Sequence, residues 1–270
     1  MYSGLTFRTK SGLVMGVHQR IDRVAFRHLK KKLPLVDFPT QHEILHFEGL
    51  HGPDGIKRKS PAKDEPWHYI DPSNPKDRAV VDMINDHIHN MAVALRSSNL
   101  KRAAFEAAWM SHAIVDGLTP AHHYPLEAKL EELRGGQGLE TRITTKDKLV
   151  LPGKNRRNQI HNNWQYWGAK GIMTTHLGFE LGVSTTIAGI SFDGSSPSAA
   201  EFARVDAEGY EVMFLEALRA VADMKMYEEY TKLGWTRHLA NETKRTLLPV
   251  IIKAVTLAWY QAAIDSVKRS

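Results

Sequence analysis

Apolar residues recur along most of this chain at three- and four-residue intervals, the period of helices buried on one face. Val17, Ile21, Val24, Ala25 and Leu29 mark a basic amphipathic helix over 17–32, and Pro34 follows its end. A short helix is expected over 40–49. Val80, Val81, Ile84, Ile88, Met91 and Leu95 set a helix over 76–97, and a second runs from about 99 to 117. A charged helix over 124–134 stops at Gly135-Gly136. Helical patterns resume over 172–190, 197–224 and 242–268, with Pro249 placed to kink the last. Two stretches break the pattern. Residues 50–75 hold Gly52-Pro53-Asp54-Gly55 and Pro61, Pro66 and Pro72. Residues 135–170 are polar and basic and read as a loop insertion or lid, with a short hairpin expected around Arg142–Leu151. The expectation is an all-α protein: a single multi-helix bundle over 1–270, with long loops.

Composition narrows the chemistry. The chain has 270 residues and no cysteine, so any metal must be held by His, Asp or Glu. Its 36 Lys and Arg outnumber its 30 Asp and Glu, a surplus that suits anionic partners such as phosphate esters, nucleic acid or lipid headgroups. No run is read as approaching the ~20 apolar residues of a membrane span. Arg8, Lys10 and Ser11 interrupt any signal-like core near Met1. The default expectation is a cytoplasmic protein; peripheral membrane contact or unconventional export is compatible with it. No feature points to a protein partner.

The stretch AWMSHAIVDGLTPAHHYP (residues 108–125) carries the sharpest signal. His112 and Asp116 stand four apart, on one helical face. Gly117 and Pro120 then stop the helix, so the chain can bring His122 back toward the same point. The H-x3-[DE] spacing alone is weak, with roughly one or two chance matches expected. Here it recurs at His18/Asp22, His112/Asp116, His123/Glu127, His176/Glu180 and His238/Glu242. Most of these are ordinary solvated pairs. Order and context single out some of them: His18 on the first helix, Asp54 in HGPDG, His68 in EPWHYIDP, the run His112–Asp116–His122, then His176/Glu180 in THLGFELG.

That order resembles the zinc-dependent phospholipase C and single-strand nuclease superfamily, whose members are all-α and hold three zinc ions in a cleft. The resemblance spans His18 to Glu180 and implies a first zinc site of Asp54, His68, His112 and Asp116. It implies a second of His122, His176 and Glu180, and a third using His18 and the shared Asp116. Glu180 and HYIDP lean toward the phospholipase branch. The family's N-terminal Trp, whose amino group serves the third zinc, has no counterpart at Met1, so that site is expected to be empty or completed by water. Zn²⁺, two or three ions, is the implied cofactor. A metal-activated water attacking a phospholipid or other phosphodiester is the implied reaction, with Asp54 as the catalytic group that orients or deprotonates the water. Two further readings stand beside it: a nuclease of single-stranded nucleic acid using the same cluster, and a metal-binding protein without turnover.

The ordinary alternatives are a solvated helix end for His112–Asp116–His122, a polar loop for Asp54 and His68, and an exposed pair for His176/Glu180. A competing register through His161 meets Gln165, a poor ligand, at the fourth position. His123 reads as a neighbour of the site. His42, His46 and His51 read as supporting or solvated, and His87, His89 and His238 as outside it. Lys146, Lys148, Lys154, Arg156 and Arg157 form a basic run beside the site, and Lys57–Lys59 another beside Asp54. Trp164, Tyr166 and Trp167 could stack a cation or a base, with core packing expected for at least two.

Overall fold

In a computed structural model, which describes residues 16–33, 37–48, 52–53 and 68–268, the chain is all-α, with no strand among those residues. Helix α1 (Val17–Lys32) follows Gly16 and buries Val17, Ile21, Val24, Ala25 and Leu29, as its periodicity predicts. Its last turn carries Lys30–Lys32, cations placed against the helix's negative end. α2 (Gln41–His46) is short and set by a capping box between Thr40 and Glu43. α3 (Ala79–Arg96) and α4 (Leu100–Gly117) form a hairpin; Asn99 caps α4 by accepting from the Arg102 amide. α4 is buried over most of its surface and lined with small residues: Ala103, Ala104, Ala107, Ala108 and Ala113.

The long C-terminal helix is the hub of the core. A π-turn at Thr243–Leu247 leads into α13 (Leu248–Val267), which packs on α1, α3 and α4. Pro249 lies within a helical run that continues through the π-turn, just after the place where the regular backbone ladder is interrupted, as a residue without an N–H requires. Trp259 is fully buried, and its indole N–H donates to the Ala107 carbonyl of α4 at 3.0 Å. One helix, Arg237–Val267, is long and apolar enough to cross a membrane, contrary to the expectation that no run is. In this fold 72% of its apolar window is buried, as in a core helix.

Between these lie α5 (Leu126–Leu133), α6 (Thr145–Leu149), α7 (Arg156–Trp167), α8 (Ile172–Ile187), α9 (Ala199–Glu208), α10 (Tyr210–Asp223), α11 (Met226–Leu233) and α12 (Arg237–Glu242). The helix expected over 197–224 is two. Gly209, at φ +82°, ends α9 and starts α10, a conformation that costs other residues strain. The expected hairpin around Arg142–Leu151 is absent. That segment holds α6, and α7 follows, so much of 135–170 is helical. Its Leu151 and Tyr166 join Leu126, Leu130 and Leu133 of α5 in a second, small core.

α1 is strapped to the end of α8. The Arg20 guanidinium donates to the carbonyls of Ile187 (2.7 Å) and Ile190, at and just past that helix's C-terminus. His28 contacts the Phe192 carbonyl at 3.3 Å, and Arg27 pairs with Asp193 at 2.9 Å. The strap fixes the first helix relative to the helix that carries His176 and Glu180.

Candidate metal centre

His112 and Asp116 lie on the last two turns of α4, one helical repeat apart, with His112 Nε2 3.2 Å from Asp116 Oδ2. Gly117 ends the helix where space is tight: a Cβ there would stand 3.1 Å from Val80 Cγ1 and 3.3 Å from Phe214 Cζ. A 3₁₀ turn (Pro120–His123) then folds His122 back over the helix end, as the sequence implies. The extended residues 68–70 are pinned to that turn by the Ile70 amide, which donates to the His122 carbonyl at 3.1 Å. The pin presents His68, whose Nδ1 is 3.1 Å from Asp116 Oδ2. His18 arrives from α1, its Nε2 3.1 Å from Asp116 Oδ1.

Asp116 is therefore the centre of a cage. One carboxylate oxygen faces His68 and His112. The other faces His18, and His122 Nε2 at 3.7 Å. A second group abuts it from α8: Glu180 Oε1 is 2.9 Å from His176 Nε2 and 3.4 Å from His122 Nε2. The fit to metal can be checked by distance. Ligands of one tetrahedral zinc, at bond lengths of about 2.0–2.1 Å, stand roughly 3.3–3.4 Å apart. The ligand atoms of His68, His112 and Asp116 lie within 4.8 Å of one another, as do those of His122, His176 and Glu180. Both ring nitrogens of His18 are buried without a hydrogen bond, although Nε2 is close to Asp116. An imidazole so placed lacks the partner that an ion would supply.

The structure adds one residue that the sequence reading lacked. Glu48, fully buried just past α2, sits with Oε1 2.8 Å from His112 Nδ1 and 3.9 Å from His18 Nδ1. The two rings stack with centroids 4.3 Å apart; His112 turns Nδ1 to Glu48 and Nε2 to Asp116, while His18 faces Asp116 through Nε2 and its Nδ1 stays beyond hydrogen-bond reach of Glu48. A carboxylate accepting from Nδ1–H fixes the tautomer and bares Nε2, the usual support for a metal-ligating histidine. His18, Glu48 and His112 also satisfy ligand spacing as a group, a set that differs from the His18 and Asp116 implied for a third site. Tyr69 plays a similar part at the other end. Its ring stacks on His122 at 4.6 Å and its hydroxyl lies 3.4 Å from His176 Nδ1.

Electrostatics favour the ligating protonation states. Burial opposes ionisation of Asp116, yet the carboxyl is held well below its usual range, with the imidazoles of His122, His112 and His18 among the groups that lower it. Glu180 is likewise held well below its usual range against burial, with His176 and His122 contributing. Burial pushes His122 down to about 4, so it is neutral at pH 7. Asp22, one turn beyond His18, differs. Burial and then the Glu48 charge push it well above the carboxylate range, and the Ser111 hydroxyl donates to it.

Exposure rises across the cage, from 0% at His18 and His112 to 9% at Glu180. All the cage residues are buried, and the His176/Glu180 side is the least so. A separate cavity of about 400 Å³ lies against the 3₁₀ turn, lined by His123, Tyr124, Arg219 and Lys225 but by no cage residue.

Seven of the eight residues proposed from sequence converge: His18, His68, His112, Asp116, His122, His176 and Glu180. The eighth, Asp54, lies outside the described residues, as do His51 and Lys57–Lys59. His161 is exposed on α7, which removes the competing register. His123 contacts the Gly117 carbonyl at 2.9 Å, a neighbour as expected. His42 and His46 are exposed. His87 pairs with Glu106 at 2.5 Å, and His238 with Glu229 at 2.9 Å. Of the three aromatics of 164–167 only Tyr166 is buried, against the expectation of two.

Scanned against family models, curated proteins and solved structures, the chain gives no match.

Proposed function

We propose that this protein hydrolyses phosphodiesters with a buried cluster of zinc ions, in the manner of the phospholipase C and single-strand nuclease superfamily that its motif order resembles. The observation that carries the reading is Asp116, whose two oxygens each face a different set of imidazoles, with the His122–His176–Glu180 group abutting. An all-nitrogen-and-oxygen donor set rich in imidazole suits Zn²⁺ over the harder Mg²⁺ or Ca²⁺. When bound, such ions supply a water of pKa near ~7 and neutralise phosphoryl oxygens as charge builds.

The chain's own residues prepare that chemistry. Asp116 and Glu180 are held ionised and His122 neutral, so no proton must leave these groups before ligation at neutral pH. Glu48 orients His112, and Tyr69 holds the rings of His122 and His176. The His176/Glu180 side, the least buried of the cage, is assigned as the side an incoming diester approaches. Asp54 is assigned the water-orienting role on the resemblance alone.

The test is metal quantification on purified protein, with parallel assays on a chromogenic phosphocholine diester and on single-stranded DNA. Two or three equivalents of zinc and chelator-sensitive cleavage of the choline diester are expected. Cleavage of DNA alone would move the assignment to the nuclease branch. Zinc without cleavage of either would leave a metal-binding protein, and a protein that takes up no transition metal would end the proposal.

A further inference from the structure

Helix α7 is inside out. Its inward face is polar: Asn162 donates to the carbonyls of Leu133 (2.7 Å) and Pro152 (2.8 Å), and Asn163 bonds both ways with Leu151. Tyr166 is the one apolar residue that this face buries in the small core. The outward face carries Ile160, Trp164 and Trp167, at spacings of four and three, with Ile160 63% and Trp164 69% exposed. A helix of a globular protein normally turns such a stripe inward. The patch continues beyond the helix. The Trp167 indole donates to the Leu149 carbonyl at 2.8 Å, which brings exposed Leu149 and Val150 alongside it.

Charge selects the occupant. From Lys148 to Phe179 the chain holds no acidic residue and five cations: Lys148, Lys154, Arg156, Arg157 and Lys170. Arg156 and Arg157 are exposed, one turn ahead of Ile160 on the same face. A second copy of the chain would meet this cationic surface with its own. Single-stranded nucleic acid would stack on the indoles but gain nothing from exposed Ile160, Leu149 and Val150. Indoles, aliphatic side chains and arginines on one helical face are what an interfacial helix presents to lipid. The apolar side chains enter the headgroup boundary and the cations meet anionic headgroups.

We infer that the α6–α7 face docks the protein on anionic bilayers. α7 packs on α8, the helix that carries His176 and Glu180 at the least buried side of the cage. The inference deepens the hydrolase reading by naming a lipid surface as the source of substrate, and it rests on that reading for this link only.

The test uses the full chain with vesicles that contain no phosphodiester: a neutral galactolipid, with or without an anionic sulfolipid. Co-sedimentation with the anionic vesicles and little with the neutral ones is expected. Ile160→Gln with Trp164→Gln should weaken binding at least ~10-fold through lost apolar burial. Arg156→Gln with Arg157→Gln should weaken it about fivefold per charge and remove the anionic preference. Circular dichroism and zinc content should match wild type in both double variants.

Binding to neither vesicle, equal binding to both, or binding untouched by the double variants would overturn the inference. So would a concentration-dependent dimer that Ile160→Gln/Trp164→Gln dissolves, because the face would then be covered by a second copy. The two readings fail separately. Vesicle binding without cleavage of either the soluble choline diester or single-stranded DNA sinks the hydrolase; cleavage of the soluble diester without vesicle binding sinks the docking face.

Discussion

Asp116→Asn is the substitution with the most to reveal. It keeps the side chain's volume and removes one negative charge from a point within 3.1–3.2 Å of the ring nitrogens of His18, His68 and His112. Loss of even a supporting contact typically costs a metal site ~10–100-fold in affinity. Asp116 faces two sets of imidazoles, so a combined loss on the order of 10²–10⁴ is expected if the two are independent. The His122–His176–Glu180 group should keep most of its affinity, since His122 Nε2 stands 3.7 Å from Asp116. Zinc content should therefore fall by at least one equivalent and not to zero. Thermal melting gives an independent reading. At free zinc of about 100 Kd, one site stabilises by about 2.7 kcal/mol, or roughly 5–10 °C in a chain of this size. Chelation should lower the wild-type Tm by at least that, and the variant's by less. Elemental analysis after dialysis at buffered zinc, with calorimetry, checks both numbers. A variant that keeps full zinc, full activity and the wild-type chelator shift would refute the bridging role.

Three more outcomes follow from the geometry. Glu48→Gln removes the anionic partner of His112 Nδ1 and should weaken zinc binding ~10–100-fold, measured by competition with a chromogenic chelator, while leaving the helical spectrum intact. Gly182→Ala places a Cβ 2.3–2.4 Å from the Trp235 ring on the helix that holds His176 and Glu180; a loss of about 1–3 kcal/mol by urea denaturation is expected, with weaker metal binding. His122, depressed by burial to about 4, gives the metal-free protein a pH dependence of definite sign. The unfolded chain takes up a proton near pH 6.5 that the folded site refuses, so stability falls as pH drops from about 6.5 toward 4, by up to about 3 kcal/mol. NMR should show a ring that does not titrate near pH 6.5, and His122→Gln should flatten that part of the stability curve.

What the sequence made legible was whatever repeats with a helical period. α1, α3 and α4 bury the faces that their apolar spacing marks. His112 and Asp116 were legible because four residues is one turn, and His122 because glycine and proline stop the helix just before it. Glu48 was not. It is a lone acid after a six-residue helix, and only packing against α4 brings it to His112. α7 was hidden for a different reason. Its asparagines face the small core and its tryptophans face out, so a search for buried apolar periodicity reads it as loop. The division of 197–224 turned on Gly209, whose positive φ becomes visible only in three dimensions.

The indole of Trp259 holds a carbonyl in the middle of α4, five residues before His112. Sliding a helix by one residue moves it 1.5 Å and turns it by about 100°. Such a slip would break this bond and swing His112 and Asp116 away from their partners together. The bond therefore acts as a detent, and the alignment of the ligands is set deep in the hydrocarbon interior, away from the ligands themselves. Substitutions around that indole should accordingly disturb metal affinity from a distance.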